Sequence, residues 1–212
     1  MSSPGLYDVI NRRRDVRAEF TGEPVPEAVL TRILQAAHTA PSVGMSQPWD
    51  FVVIRNHTTR SAFQRHVLEQ RDRFAGVLDA QRARLFDSIK VEGILESTMG
   101  IVVTYDEQRA GPNVLGRHTN PETGLYSVCL AIQNLWLAAT AEGLGVGWVS
   151  FYEDAFLADL LAIPAPLRPI AWLCLGPVSE LVTVPDLERH HWRRRTPLDT
   201  VLHFEHFGRA ST

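Results

Sequence analysis

The sequence contains one lysine, Lys90, among 21 basic residues. That bias carries no functional reading of its own. Cysteine is nearly missing too: Cys129 and Cys174 lie in apolar runs without metal-type spacing and read as reduced core residues. Eight histidines are present, but His190 and His191 are adjacent and no HExxH pattern occurs. Metal chemistry therefore has no support, and the lack of a GxSxG elbow removes the serine-hydrolase reading. The opening MSSPGLYDVINRRR has no apolar signal core, and no apolar run approaches the length of a membrane span. A soluble cytoplasmic protein is expected.

What is present suits one globular domain spanning residues 1–212. The chain is 45% hydrophobic and 21% charged, which is the globular range and not the disordered one. A net charge of -3 argues against a general nucleic-acid partner. The arginines are nevertheless clustered, with Arg12, Arg13, Arg14 and Arg17 near one end and Arg193, Arg194 and Arg195 near the other. Such clusters are either solvated surface or sites of anion recognition.

Apolar spacing predicts a short helix over 5–14 and a second over 26–39, with Pro26 in its first turn and Pro41 limiting its end. Strands are predicted at 51–54, 100–105, 145–151 and 170–176. Residues 57–98 read as a helical, partly exposed excursion that could close as a lid. Asn120, Pro121 and Glu122 read as the start of a long helix ending at Gly143. Leu125, Val128, Cys129, Ile132, Leu135, Trp136 and Ala139 do not fit one stripe of that helix, so it needs cover nearly all round. A second copy of the chain could provide part of it. The fold class is α+β, and a dimer is expected because one copy leaves this helix undercovered.

Four segments could carry chemistry. Arg13-Arg14-Asp15-Val16-Arg17 suits a phosphorylated ligand, because guanidinium groups pair with phosphate in a bidentate way. Asp15 within it is either an ion-pair partner for the arginines or a carboxylate aimed into the site for proton transfer. Pro41 to Trp49 is a proline-bounded loop in which Ser42 and Gln47 offer donors and acceptors. Gly143 to Ser150 has three glycines but no following Lys-Ser/Thr or helix, so the phosphate-loop reading fails. Its glycines are expected to let a planar ligand lie against the backbone. Trp192 to Leu198 is a basic stretch near the C-terminus.

Taken in order, these four segments resemble the nitroreductase-like flavoproteins, from about residue 7 to residue 200. The resemblance implies a mostly antiparallel central sheet flanked by helices, in an intertwined homodimer that holds FMN between protomers. It departs from ordinary nitroreductases at Asp15, where they have serine, and at Met45, where they have asparagine. RRDVR, APSVGMSQPW and CLAIQNLWLAATAEGLGVGWVSF are instead similar to the 5,6-dimethylbenzimidazole synthase subfamily. That likeness implies reduced FMN as substrate and O₂ as co-substrate. It also implies a separate flavin reductase as supplier, no metal, and products 5,6-dimethylbenzimidazole (the lower ligand of vitamin B12) and erythrose 4-phosphate.

Carried onto this sequence, the resemblance has Arg13, Arg14, Arg17 and Arg195 hold the phosphate and ribityl chain. Asp15 and Val16 lie among them, and Ser42 and Gln47 approach from the partner protomer. Gly147, Trp148, Val149 and Ser150 run beside the flavin ring near N5 and C4a. Asp15 becomes the proton-handling group for the ribityl chain. Ser150 either hydrogen-bonds the reacting edge or is bonded to backbone. The competing readings are an NAD(P)H-dependent nitroreductase or quinone reductase on the same fold, and a non-catalytic flavin carrier. Asp15, Met45 and a shortage of basic residues placed for a dinucleotide phosphate weigh against the first.

Overall fold

The computed structural model describes residues 5–208. The expected span of 1–212 extends past the described residues at both ends. Four strands, β1 (Trp49–Ile54), β2 (Met99–Tyr105), β3 (Leu144–Val149) and β4 (Arg168–Pro177), form one antiparallel sheet in the order β1-β2-β4-β3. Side-chain alternation sends β2 and β4 residues to two separate cores. Ile101, Val103, Leu173 and Leu175 pack with α2 (Glu27–His38) and α5 (Thr123–Ala141). Val102, Trp172 and Cys174 pack on the other face with Phe63, Phe86 and Leu157, carried by α3 (His57–Ala75), α4 (Ala80–Asp87) and α6 (Asp154–Leu160). With helices on both faces, β2 is buried along its whole length. The two remaining helices are short: α1 (Leu6–Arg12) and α7 (Asp186–Arg189).

The structure corrects the sequence expectation at several points. Residues 57–98 are helical only to Asp87, and they are a layer of the core: Phe63, Val67, Phe86, Val91 and Ile94 are all buried. Their periodicity is weak because the buried face of α3 also carries Arg60 and His66. Arg60 donates to the carbonyls of Ile94 at 3.0 Å and Thr98 at 3.1 Å, and so ties down the non-helical 88–98 segment. Asn120 does not cap α5. Its carbonyl accepts from the Thr123 N–H at 3.2 Å, which closes a turn with Pro121 at the position where a fixed φ is favoured.

By length and composition α5 could cross a membrane, contrary to the expectation that no run reaches that length. Its apolar residues are explained instead by burial of Val128, Ile132, Leu135 and Ala139 against the sheet and α2. Cys174 is buried as expected, and burial pushes its thiol up to about 12. Cys129 is exposed and is not a core residue. It lies on a stripe of α5 with Tyr126 and Leu130, beside the exposed Leu6, Tyr7 and Ile10 of α1. One chain thus leaves a helical apolar face open.

Candidate functional site

The site begins where α1 stops. At Arg13 the chain turns to φ -56°, ψ 127° and runs extended alongside β3. The Val16 N–H donates to the Val146 carbonyl at 3.0 Å, and Asp15 forms a parallel bridge with Val146. Glycine makes this approach possible. A Cβ at Gly147 would stand 2.1 Å from the Val16 carbonyl oxygen, and one at Gly145 would stand 2.4 Å from Val178 Cγ1. At Gly145 and Gly147 the missing side chains make room for the chain's own Val178 and Val16, whereas nothing lies within 4 Å of the Cβ position at Gly143.

Asp15 is held by two partners. Its Oδ1 accepts from the Trp148 backbone N–H at 2.9 Å, and its Oδ2 accepts from Arg17 Nη2 at 2.5 Å. It pairs with Arg17 and also lines a cleft with 33% of its side chain open. Burial raises its carboxyl above the ordinary carboxylate range. Arg17, the Trp148 N–H and Arg13 oppose that rise, while Asp186 adds to it.

The cleft is a cavity of about 290 Å³ lined by Arg13, Arg14 and Arg17 together with Arg193, Arg194 and Arg195. Arg14 donates to the carbonyls of Asn11 and Arg13, each at 2.7 Å, and to that of Thr183. Arg13 stands over the Trp136 ring, 5.0 Å from its centroid. Among the described residues no carboxylate lies within ion-pairing distance of Arg13, Arg14, Arg193, Arg194 or Arg195. Burial, then Arg195 and Arg13, lower the pKa of Arg14. The Nε atoms of Arg14 and Arg17 are buried without a hydrogen-bond partner. Such a set of donors calls for an anion with several acceptor oxygens.

Past Arg17 the cleft continues into a second cavity of about 220 Å³ with an aromatic wall of Phe74, Phe86, Phe151 and Trp192. Trp148 and Ser150 also line it. Phe74 meets Phe86 edge-on at 5.1 Å and Phe151 at 5.7 Å, so this wall is packed without a ligand. Ser150 follows the last residue of β3, is exposed, and its hydroxyl has no hydrogen bond among the described residues. The alternative in which it is bonded to backbone is not what the structure has.

Not every expected site residue reaches the cleft. Val16 and Val149 are 2% and 1% exposed and line neither cavity. Their role is to fasten the 13–17 segment and β3 to the core. Ser42 and Gln47 also line neither cavity. The Ser42 hydroxyl accepts from the Gln47 N–H at 3.0 Å, and Gln47 Nε2 donates to the His38 carbonyl at 3.2 Å. Gly44, Met45 and Gln47 all have positive φ, so the loop is a preset turn that projects Met45, 85% exposed, away from its own chain.

Sequence reasoning missed Phe74, Phe86 and the Pro185–Glu188 turn, with Asp186 reaching Arg17 at 3.9 Å. A proline followed by two acids in four residues, as at Pro185, is a helix-start signal that could have located α7.

Comparison with known proteins bears on this geometry. The nitroreductase family model matches residues 10–177. The 5,6-dimethylbenzimidazole synthase of Rhodospirillum rubrum is 38% identical over 193 residues, covering 91% of this chain and 91% of that protein. A BluB-like flavoprotein from Clostridium difficile superposes with a TM-score of 0.72 at 20% identity, over 95% of this chain and 99% of that one. An oxidized iodotyrosine deiodinase bound to FMN and 3-iodo-L-tyrosine superposes with a TM-score of 0.72 at 22% identity, over 92% and 97%. The two structures share the fold.

Proposed function

The chain belongs to the nitroreductase family, and from that membership we propose that it converts reduced FMN and O₂ to 5,6-dimethylbenzimidazole with release of erythrose 4-phosphate. The reading is of one domain acting in the cytoplasm as a homodimer, with a separate reductase supplying the reduced flavin. The observation that carries it is the pairing of a fixed, partly buried Asp15 carboxylate with an unbonded Ser150 hydroxyl along one cleft. The likeness to the Rhodospirillum rubrum 5,6-dimethylbenzimidazole synthase supports the same aromatic product. The open face of α1 and α5 supports the dimer.

The residues present fit the flavin. Orphaned Nε atoms on Arg14 and Arg17, beside Arg13, Arg193, Arg194 and Arg195, which have no acid partner among the described residues, suit a phosphate ester. Arg13, Arg14, Arg17 and Arg195 would hold that end. Bound reduced flavin would supply the electrons for O₂ and the carbon atoms of the product. Asp15, its proton affinity raised by burial, would take or return a proton at Oδ for the ribityl chain, whose carbon–carbon bond must break. Trp148 and Arg17 keep that carboxylate oriented. Phe74, Phe86 and Trp192 would keep water from the reacting edge.

Ser150 would donate its free hydroxyl to that edge. Ser150→Ala is expected to slow product formation about tenfold, the loss of one well-placed hydrogen bond. The measurement is single-turnover product formation in oxygenated reduced FMN. An unchanged rate would remove Ser150 from the mechanism.

A conventional NAD(P)H-dependent nitroreductase is the second reading, and one observation favours it. Six arginines line one cavity, more than one phosphate ester needs. Asp15 and Met45 still weigh against it. Rapid multiple turnover of NADPH with a nitroarene by the FMN-loaded protein would favour this second reading.

A further inference from the structure

One helix grips the segment that carries the second set of cleft arginines. Asp79 fixes the start of α4 by accepting from the Gln81 N–H at 2.9 Å and the Arg82 N–H at 2.8 Å. From that first turn, the Arg82 guanidinium carbon stands 4.5 Å from the centroid of the Trp192 ring. Arg82 Nη1 also donates to the Trp192 carbonyl at 3.2 Å. At the other end of α4, the Ser88 hydroxyl pairs with His190 Nδ1 at 3.0 Å. From the opposite side the Leu187 carbonyl accepts from the N–H groups of Trp192 at 2.9 Å and Arg193 at 3.2 Å. Arg82 forms no ion pair among the described residues, and it lines neither cavity.

We propose that Arg82 is a positioning residue for the phosphate end of the flavin, acting through Trp192 on Arg193, Arg194 and Arg195. The inference rests on the flavin reading given above. Three consecutive exposed arginines on a loose segment would lose much side-chain freedom on gripping an anion, so pinning their backbone beforehand reduces the cost of binding. The ring of Trp192 has support besides Arg82, since Phe74 and Phe86 stand 6.5 and 6.0 Å from it. Loss of Arg82 therefore loosens the backbone that leads to the arginines more than it opens the aromatic wall.

That asymmetry gives the test. FMN and riboflavin differ only in the phosphate, and the affinity of the full-length protein for each is read from quenching of flavin fluorescence. Arg82→Ala is expected to weaken FMN about tenfold and riboflavin less than about twofold, the scale of one cation–π contact and one hydrogen bond lost together. Reduced FMN should show a raised KM with little change in kcat. Arg82→Lys keeps a charge over the ring and should recover part of the loss. Ser88→Ala should act in the same direction and more weakly. Arg82 and Ser88 are both exposed, so neither change removes core packing.

Equal weakening of FMN and riboflavin would overturn the proposal, because Arg82 would then act on the ring wall or the fold. Unchanged FMN affinity in Arg82→Ala would overturn it as well. A parent protein that does not prefer FMN to riboflavin would instead sink the flavin reading itself, whatever the variants do.

Discussion

Asp15→Asn is expected to bind FMN about as tightly as the parent protein and to lose 5,6-dimethylbenzimidazole formation by about 10²- to 10⁴-fold, the usual weight of a general acid or base. Asparagine keeps the shape, and its side-chain oxygen can still accept from the Trp148 N–H, now at 2.9 Å from Oδ1. The arginines lining the cleft are untouched. What disappears is the capacity to exchange a proton at the position facing Arg17. Product formation from reduced FMN and FMN affinity are measured side by side. Activity equal to the parent's would remove Asp15 from the chemistry.

The same variant has a signature in stability. An acid whose pKa is raised on folding holds its proton more tightly in the folded protein than in the unfolded chain. The stabilisation from Asp15 is therefore complete below its ordinary value of 3.8 and is lost as pH rises through the folded value. Asparagine does not ionise and escapes that loss. Thermal melts should show parent and Asp15→Asn converging in acid, with the variant gaining relative stability toward neutral pH. A variant that is relatively most stable in acid would mean that Arg17 and Trp148 outweigh the burial.

Gly147→Ala is expected to destroy the site from beneath. The new methyl would meet the Val16 carbonyl oxygen at 2.1 Å, and that atom belongs to backbone with little room to yield. Crowding of this kind costs about 1–3 kcal/mol. Moving the 13–17 segment off β3 also threatens the Val16–Val146 hydrogen bond and the Trp148 contact that orients Asp15. FMN affinity should fall on the order of tenfold or more, together with a lowered melting temperature. Gly143→Ala is the control. Gly143 has φ +78°, so it too is strained by a side chain, but nothing lies within 4 Å of its Cβ position. It should cost stability of about 1 kcal/mol without touching FMN binding. Equal effects of the two substitutions on FMN affinity would show that the close approach at Gly147 does not matter to the site.

These cases also show how far the sequence could be read. Strand positions and the two ends of the cleft were legible because β-type apolar runs and clustered arginines are local signals. The meaning of Gly147 was not. Glycine in a strand announces a close approach, but not whether a ligand or the chain itself makes it. Phe74 and Phe86 were hidden for a different reason. The helix carrying Phe74 buries Arg60 and His66 on its inner face, so its pattern resembles an exposed segment, and only the carbonyls of Ile94 and Thr98 explain why an arginine belongs there. Ser42 and Gln47 are a third kind of case. Their bonds to one another and to His38 shape a loop, while the cleft of the same chain is formed by other residues.

Flavin bound in this cleft is expected to be consumed. The most direct test reduces FMN chemically without NADPH, adds the protein under anaerobic conditions, admits O₂, and follows the products by mass spectrometry. The account predicts 5,6-dimethylbenzimidazole, formed only when both protein and O₂ are present and lost with Asp15→Asn. Quantitative return of intact FMN without dimethylbenzimidazole would contradict it.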